Sequence, residues 1–418
     1  MTVQVTTLKN GLRVVTDRMD TVETVALGVW VGVGTRYEEA RVNGISHLLE
    51  HMAFKGTARR SAADIAAEIE AVGGHLNAYT SRETTAYYAK ILKEDVPLAT
   101  DIVADILQNS VFDPGELERE RTVILQEIGQ AQDQPEDVVF DAFQEAAYPD
   151  QPFGRPVLGA PEVIRRISRE DIIRYMTDRY RASRMVLAAA GRIDHDAFVS
   201  LAADKFGGLH PGEPPAPEPG RYVGGDSREA RDLEQVHLVL GLRGVSYRDP
   251  DYYAAQVLST LYGGGMSSRL FQEVREKRGL VYSIYSFMSG ASDGGLFGVY
   301  AGTGEAEANE VLRIVCDELR KLGDRVDADE VQRARAQLKA SILMARESTS
   351  ARCEHLAQQM LMFGRPLAVE EVVAKIEAVD EAAISAVARR LAATPVTLAA
   401  TGPVQAVEDY EKVAARLR

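Results

Sequence analysis

His47 and His51 bracket the run His47-Leu48-Leu49-Glu50-His51, and two imidazoles four residues apart with a carboxylate between them form a donor set for a divalent ion. An α-helix turns about 100° per residue, so the two rings lie about 40° apart in projection and one turn apart along the axis. Both can reach one zinc ion at ~2.0–2.1 Å. Glu50 would sit beside that ion without ligating it, where it can take a proton from a water that the ion activates. A zinc that does chemistry needs a third protein ligand and one open position. The helical pattern over residues 116–131, with Val123, Ile124 and Ile128 as its apolar stripe, offers Glu127 and, two turns earlier on the same face, Glu120. A carboxylate among apolar residues needs a partner to justify its burial. The plainer alternative is a pair of unrelated helix histidines, but the chain has only seven histidines in all.

The elements that must position these residues can be read from periodicity and turn signals. Asn10-Gly11 between TVQVTTL and LRVVTD marks a hairpin. An apolar strand follows over 25–33. Helical segments come next over 44–54, 62–72 and 96–110, the second with Ser61 as N-cap and Gly73-Gly74 as its C-terminal stop. The Tyr- and Thr-rich stretch 75–92 reads as a strand pair. Residues 211–220, PGEPPAPEPG, contain five prolines and no hydrophobic period, the pattern of a stiff, extended linker. The expected organisation is therefore an N-terminal domain over 1–210, a proline-rich linker over 211–221 and a C-terminal domain over 222–418. The second half repeats the first faintly. VHLVLGLRGV (236–245) resembles VALGVWVGVG (25–34), YYAAQVLSTLYGG matches NGISHLLEHMAF in position, and GLVYSIYSFMSG echoes GGHLNAYTSRET. The second copy has apolar and small residues where the first has its histidines, so only one copy carries the metal motif.

Composition narrows the partners. The chain has 418 residues, more than one core usually serves. Its net charge of −14 disfavours nucleic acid or an anionic membrane surface. It is compatible with a basic peptide, although many proteins are simply acidic. Cys316 and Cys353 stand outside any paired spacing, which points to two buried, inert thiols in a reducing compartment. Neither a signal peptide nor a transmembrane run is recognised, so a cytoplasmic location is expected.

Three separated blocks, HLLEHMAFKGT (47–57), GGHLNAYTSRETTAYYAK (73–90) and ERERTVILQEI (118–128), resemble the M16 zinc peptidases, the inverted-motif (HxxEH) group, and within it the branch of the mitochondrial processing peptidase β-subunit and its bacterial homologues. The resemblance runs over essentially the whole chain, including GGGMSSRLFQEVREKRGLVYS (263–283). It implies an α+β protein of two similar domains, each a mixed or antiparallel sheet flanked by helices, set as a clamshell around a chamber that admits unfolded segments. It implies one zinc per chain held by His47, His51 and Glu127, with Glu50 as general base and Glu120 as the carboxylate that orients the site. Arg275 and Tyr282, seven residues apart, match the family's Arg/Tyr pair, which would donate to a peptide carbonyl oxygen as it becomes negative. Read without the family, Arg275 is a solvated helix residue and Tyr282 a strand residue in the core. Asn77, Ala78 and Tyr79 lie where the family's edge strand pairs with an extended substrate. Gly263, Gly264 and Gly265 match its glycine-rich loop, where glycine permits close backbone approach or mobility. Asp137 and Asp141 resemble an acidic pocket for a substrate arginine. A solvated acidic face over 133–141 is an equal reading, because Pro135 interrupts the helix and the family's usual residue at 137 is a glutamate.

The resemblance thus implies a zinc metalloendopeptidase that cuts extended, basic peptides of modest length and closes its two halves to do so. The rival, from another class, is a non-catalytic structural or partner subunit of a peptidase-like complex. Such members typically lack an intact HxxEH, which is present here. A homodimer is the expected assembly, with a heterodimer with a related chain as the alternative.

Overall fold

The computed structural model describes residues 3–417. They form two compact units. One contains the chain up to Gly129, then Arg155–Glu218 and Met344–Pro366; the other contains Gln130–Gly154, Pro219–Leu343 and the chain from Leu367. The main passage between units falls at residues 218 and 219, inside the proline-rich stretch.

The first unit is built on a six-stranded sheet in the order β1-β2-β6-β3-β5-β4, with β1 Val3–Thr7, β2 Arg13–Arg18, β3 Thr24–Val31, β4 His75–Thr80, β5 Thr85–Leu92 and β6 Met185–Gly191. The β1–β2 hairpin forms as its turn signal requires: Gly11 has φ 95°, a conformation that costs a side-chain-bearing residue but not glycine, and Asn10 Oδ1 accepts from Leu12 N at 3.1 Å. Helices α1 Ile45–Ala53, α2 Ala62–Ala71, α3 Val96–Gln108 and α4 Pro114–Gln132 follow in chain order, each within a few residues of its expected range. Ser61 caps α2 in a reciprocal capping box with Asp64.

The second unit's sheet runs β7-β11-β8-β10-β9, with β7 Gly225–Ala230, β8 Val236–Arg243, β9 Val281–Gly290, β10 Gly295–Thr303 and β11 Thr397–Gly402. Strand by strand it repeats β2-β6-β3-β5-β4. The first pair is parallel in both sheets, and every later pair is antiparallel. The faint sequence repeat is therefore a repeat of topology, with β1 the one strand added to the first copy.

Each sheet is covered on both faces. In the first, Val25, Leu27, Val29 and Val31 of β3 join the main core, while Ala26 and Trp30 face a second cluster. That alternation is the two-residue period of a strand. The second cluster is completed by Cys353, Leu356, Ala357 and Met360, from the helix Thr349–Phe363 of the C-terminal half. The exchange is mutual: α5, Pro135–Ala147, places Val139, Phe143 and Ala147 against Val239, Tyr300 and Ala399 of the second sheet. Pro135 does not break a helix here; it occupies the first turn of α5, after α4 has ended at Gln132, where its missing N–H costs nothing. Cys316 and Cys353 are both buried and unpaired. Among the described residues no helix is long and apolar enough to cross a membrane.

Candidate metal centre

Helix α1 carries the two histidines, and its N-terminus is fastened by a residue outside it. Gly44, the N-cap, has φ 94° and offers no side chain. A Cβ there would lie 2.5 Å from Ile164 Cδ1 and 2.8 Å from the Leu158 carbonyl oxygen, so no other residue fits. The capping acceptor comes instead from Glu38, fully buried, whose carboxylate receives Gly44 N at 2.8 Å, Ser46 N at 2.8 Å and Asn43 Nδ2 at 2.9 Å. Two of the amides that a helix start leaves without intrahelical partners are satisfied in this way. Ile45, Leu48, Leu49 and Met52 are buried in the core, which aims His47, Glu50 and His51 away from it.

Helix α4 supplies the carboxylates. Its buried residues are Leu117, Glu120, Ile124 and Ile128; Val123, expected in the apolar stripe, is instead 38% exposed. Glu120 thus takes a place in the buried row, and Glu127, two turns on, projects from the same side. His47, His51 and Glu127 come together with one donor atom from each, all within 4.8 Å of one another. Glu127 Oε2 lies 3.8 Å from His47 Nε2 and 3.6 Å from His51 Nε2. A tetrahedral ion with 2.0–2.1 Å bonds spaces its ligands ~3.3 Å apart, so Glu127 stands a few tenths of an ångström beyond ligand spacing from each imidazole. Burial, with His51 as a lesser cause, pushes the His47 imidazole down to about 4. It is therefore neutral near pH 7, the state that ligation requires. By donor type, count and spacing these residues fit zinc.

Around them, His51 Nδ1 donates to Glu120 Oε2 at 3.0 Å when Nε2 faces the cluster. Lys55 Nζ holds the other oxygen of Glu120 at 2.7 Å. His47 Nδ1 is buried and has no hydrogen-bond partner among the described residues, so packing alone orients that ring. Glu50 accepts a hydrogen bond from the Thr80 hydroxyl. Burial raises the Glu50 carboxyl above its ordinary value, against lowering contributions from Thr80 and His51. Lys55, Thr80 and Glu38 were not singled out from sequence. For Thr80 the signal was present: two residues beyond Ala78 on a strand, it must share that residue's face.

The other expected residues fall in defined places. Asn77, Ala78 and Tyr79 lie on β4, the edge strand of the first sheet. Tyr79's ring points away from the face that Ala78 and Thr80 share; its hydroxyl donates to Glu354 at 3.0 Å and accepts from Trp30 Nε1 at 3.2 Å. Only its main chain is open at the edge. In the second unit, Arg275 Cζ stands 5.2 Å from the centroid of the Tyr282 ring, a cation–π stack. Tyr282 is 76% exposed, which rules out the core-strand reading. Gly263 ends the helix Tyr252–Gly263, where a Cβ would approach Ser286 N to 2.5 Å, and Gly264 is as tightly placed against Thr260. At Gly265 a Cβ would meet only Gln337 Nε2, at an ordinary contact distance of 3.7 Å, so close packing does not require glycine there. Asp137 and Asp141 are exposed on α5, and Asp137 lies in its acidic first turn, where a helix N-terminus favours negative charge.

Comparison with known proteins agrees with this geometry. Residues 13–161 match the family described as insulinase (peptidase family M16), and residues 166–338 match the peptidase M16 inactive domain. An uncharacterised zinc protease of Rickettsia felis is 41% identical over 397 residues, 95% of this chain and 96% of that protein. The mitochondrial-processing peptidase subunit beta of Rattus norvegicus is 38% identical over 99% of this chain and 87% of its own length. Among solved structures, a protease from Helicobacter pylori superposes with a TM-score of 0.90 at 22% identity, over 96% of this chain and 99% of that one. A chain of complex III2 from Candida albicans does so with a TM-score of 0.89, over 99% of both.

Proposed function

The chain belongs to the M16 peptidase family, and from that premise we propose that it is a zinc-dependent endopeptidase acting on extended peptides. The observation that carries this reading is the convergence of His47, His51 and Glu127 with Glu50 beside them. In this reading His47, His51 and Glu127 would hold one zinc ion, which would supply Lewis-acid activation of a water. Glu50 takes the proton of the attacking water and passes it to the leaving amine. Thr80 holds the Glu50 carboxylate in place. The free edge of β4, at Asn77, Ala78 and Tyr79, pairs with the substrate main chain, a mode of binding tolerant of sequence. Arg275 and Tyr282 donate to the carbonyl oxygen as it gains charge, and the glycines at 263–265 shape a substrate-binding loop. Asp137 and Asp141 form a site for an arginine near the cleaved bond. A soluble dimer of such chains, working in the cytoplasm, is the assembly we propose.

The test is Glu50→Gln. Zinc content should remain at one per chain, while hydrolysis of a quenched peptide falls by ~10²-fold or more, the range of a lost general base. Retained activity would overturn the assignment of Glu50, and a wild-type chain that binds no zinc would overturn the reading itself. For the arginine site, Asp137→Asn with Asp141→Asn should weaken arginine-containing peptides selectively; equal loss on neutral peptides would return these residues to the solvated face.

A further inference from the structure

We propose that Lys55 is a positioning residue of the metal centre, acting on zinc affinity through Glu120 and His51. This rests on the reading of the cluster as a zinc site. The two imidazoles are held differently. His47 Nδ1 is buried without a hydrogen-bond partner among the described residues, whereas His51 Nδ1 is held at 3.0 Å by Glu120. Among the described residues, hydrogen-bonded control of the two imidazoles through Nδ1 therefore runs through one carboxylate. That carboxylate is itself costly: the Glu120 side chain is 6% exposed and sits in the apolar row of α4. Burying a carboxylate is costly unless its oxygens are hydrogen-bonded, and an opposing charge lowers that cost further. His51 satisfies Oε2. Lys55 satisfies Oε1 at 2.7 Å and brings the opposing charge.

The placement of Lys55 explains why it can do this. Helix α1 ends at Ala53, with Phe54 as its C-cap, and Lys55 N donates to the Met52 carbonyl at 3.2 Å. The chain has just left the helix, one turn beyond His51. His51, in the last turn of α1, and Lys55, just past its end, together grip Glu120 by its two oxygens. Glu120 and Glu127 are two turns apart on one helix, so the grip also sets where α4 presents its metal ligand. Removing Lys55 leaves Glu120 either drawn outward to water, away from His51, or buried with an unopposed charge. Both outcomes loosen His51.

The experiment measures zinc affinity of the full chain by competition with a chromophoric chelator, with circular dichroism as the check on folding. Lys55→Met should weaken zinc binding ~10–100-fold, the usual cost of losing a group that orients a ligand. Lys55→Arg should restore most of the affinity, since a guanidinium can make the same bond. Lys55→Gln, which keeps a donor without the charge, gives a milder substitution if the methionine variant does not fold. In a Glu120→Gln background, Lys55→Met should change affinity by less than about twofold, because the path from Lys55 to His51 is already cut. A role confined to general stability would lower the melting temperature without this coupling. Zinc affinity of a folded Lys55→Met or Lys55→Gln variant within twofold of wild type would overturn the proposal, as would an undiminished loss in the Glu120→Gln background. A wild-type chain that fails to bind zinc would instead sink the peptidase reading.

Discussion

Glu38→Ala should be among the most damaging substitutions in the first unit, although Glu38 is nine residues from the nearest metal-binding histidine. Its carboxylate is buried and receives three hydrogen bonds, two of them from amides at the start of α1. Alanine leaves the Gly44 and Ser46 amides without an acceptor and Asn43 Nδ2 with only the Pro156 carbonyl, at 3.2 Å. A buried donor stripped of its partner costs ~1–3 kcal/mol. Some of this is recovered by water entering the space, so about 3–5 kcal/mol of lost stability is expected. Glu38→Gln keeps one acceptor oxygen but sets an amide N–H₂ against the remaining donors, and should cost ~1–3 kcal/mol. The loss should be local first, because Gly44 and Ser46 begin the helix that carries His47 and His51. Hydrogen exchange of the Gly44 and Ser46 amides is the direct assay: their protection should collapse in Glu38→Ala while that of β10 in the second unit stays near wild type. A denaturant midpoint reports the global cost. A loss of less than about 0.5 kcal/mol in Glu38→Ala, or exchange of those two amides as slow as in the wild type, would refute this role for Glu38.

Two further outcomes follow from neighbouring residues. Burial alone would raise the Asp105 carboxyl, but hydrogen bonds from Thr57, Asn109, Arg60 and Arg59 outweigh it and hold it below its ordinary 3.8. A depressed carboxyl stabilises the fold above its unfolded-state pKa and loses that contribution as pH falls through the folded value. Asp105→Asn should therefore cost ~2–4 kcal/mol near neutrality, with the gap to wild type narrowing below about pH 4 in acid titrations followed by circular dichroism; a gap that widens in acid would contradict this. Thr80→Val removes the hydroxyl that holds Glu50 at nearly constant volume. It should lower kcat ~10-fold, the worth of one hydrogen bond to a charged group, without altering zinc affinity; unchanged kcat would show that Glu50 needs no such support.

What the chain carried locally could be read from its residues. The HxxEH spacing follows from the helical repeat. Ser61 is followed by Asp64, so the cap of α2 was legible, and Asn10-Gly11 dictated the first turn. The second sheet repeats the pairing of the first because the strand at 236–243 and its neighbours retain the alternation of the strand at 24–31. Other features depend on which surface a residue meets, and spacing does not specify that. Val123 shares the helical period of Ile124 and Ile128, yet α4 turns it outward, because Glu120 and Ile124 define the buried row. Tyr79 sits between two strand neighbours of similar character, and only the pleat decides that its ring joins Trp30 while Thr80 reaches Glu50.

The sequence by itself determined that two imidazoles and a carboxylate would share one face of a short helix, and that a second half of like pattern would lack them. Helical and strand periods are properties of consecutive residues, so these conclusions needed no partner. Tertiary structure decided that Glu127, one of two carboxylates that its helix offered, meets histidines 76 and 80 residues earlier, that Glu38 caps their helix and that Lys55 opposes Glu120. It also decided that α5 and the helix Thr349–Phe363 each complete the sheet of the opposite half. The physical reason is common to all four: a buried charge or an apolar face is stable only against its complement, and the complement is chosen by packing in space, where distance along the chain carries no weight.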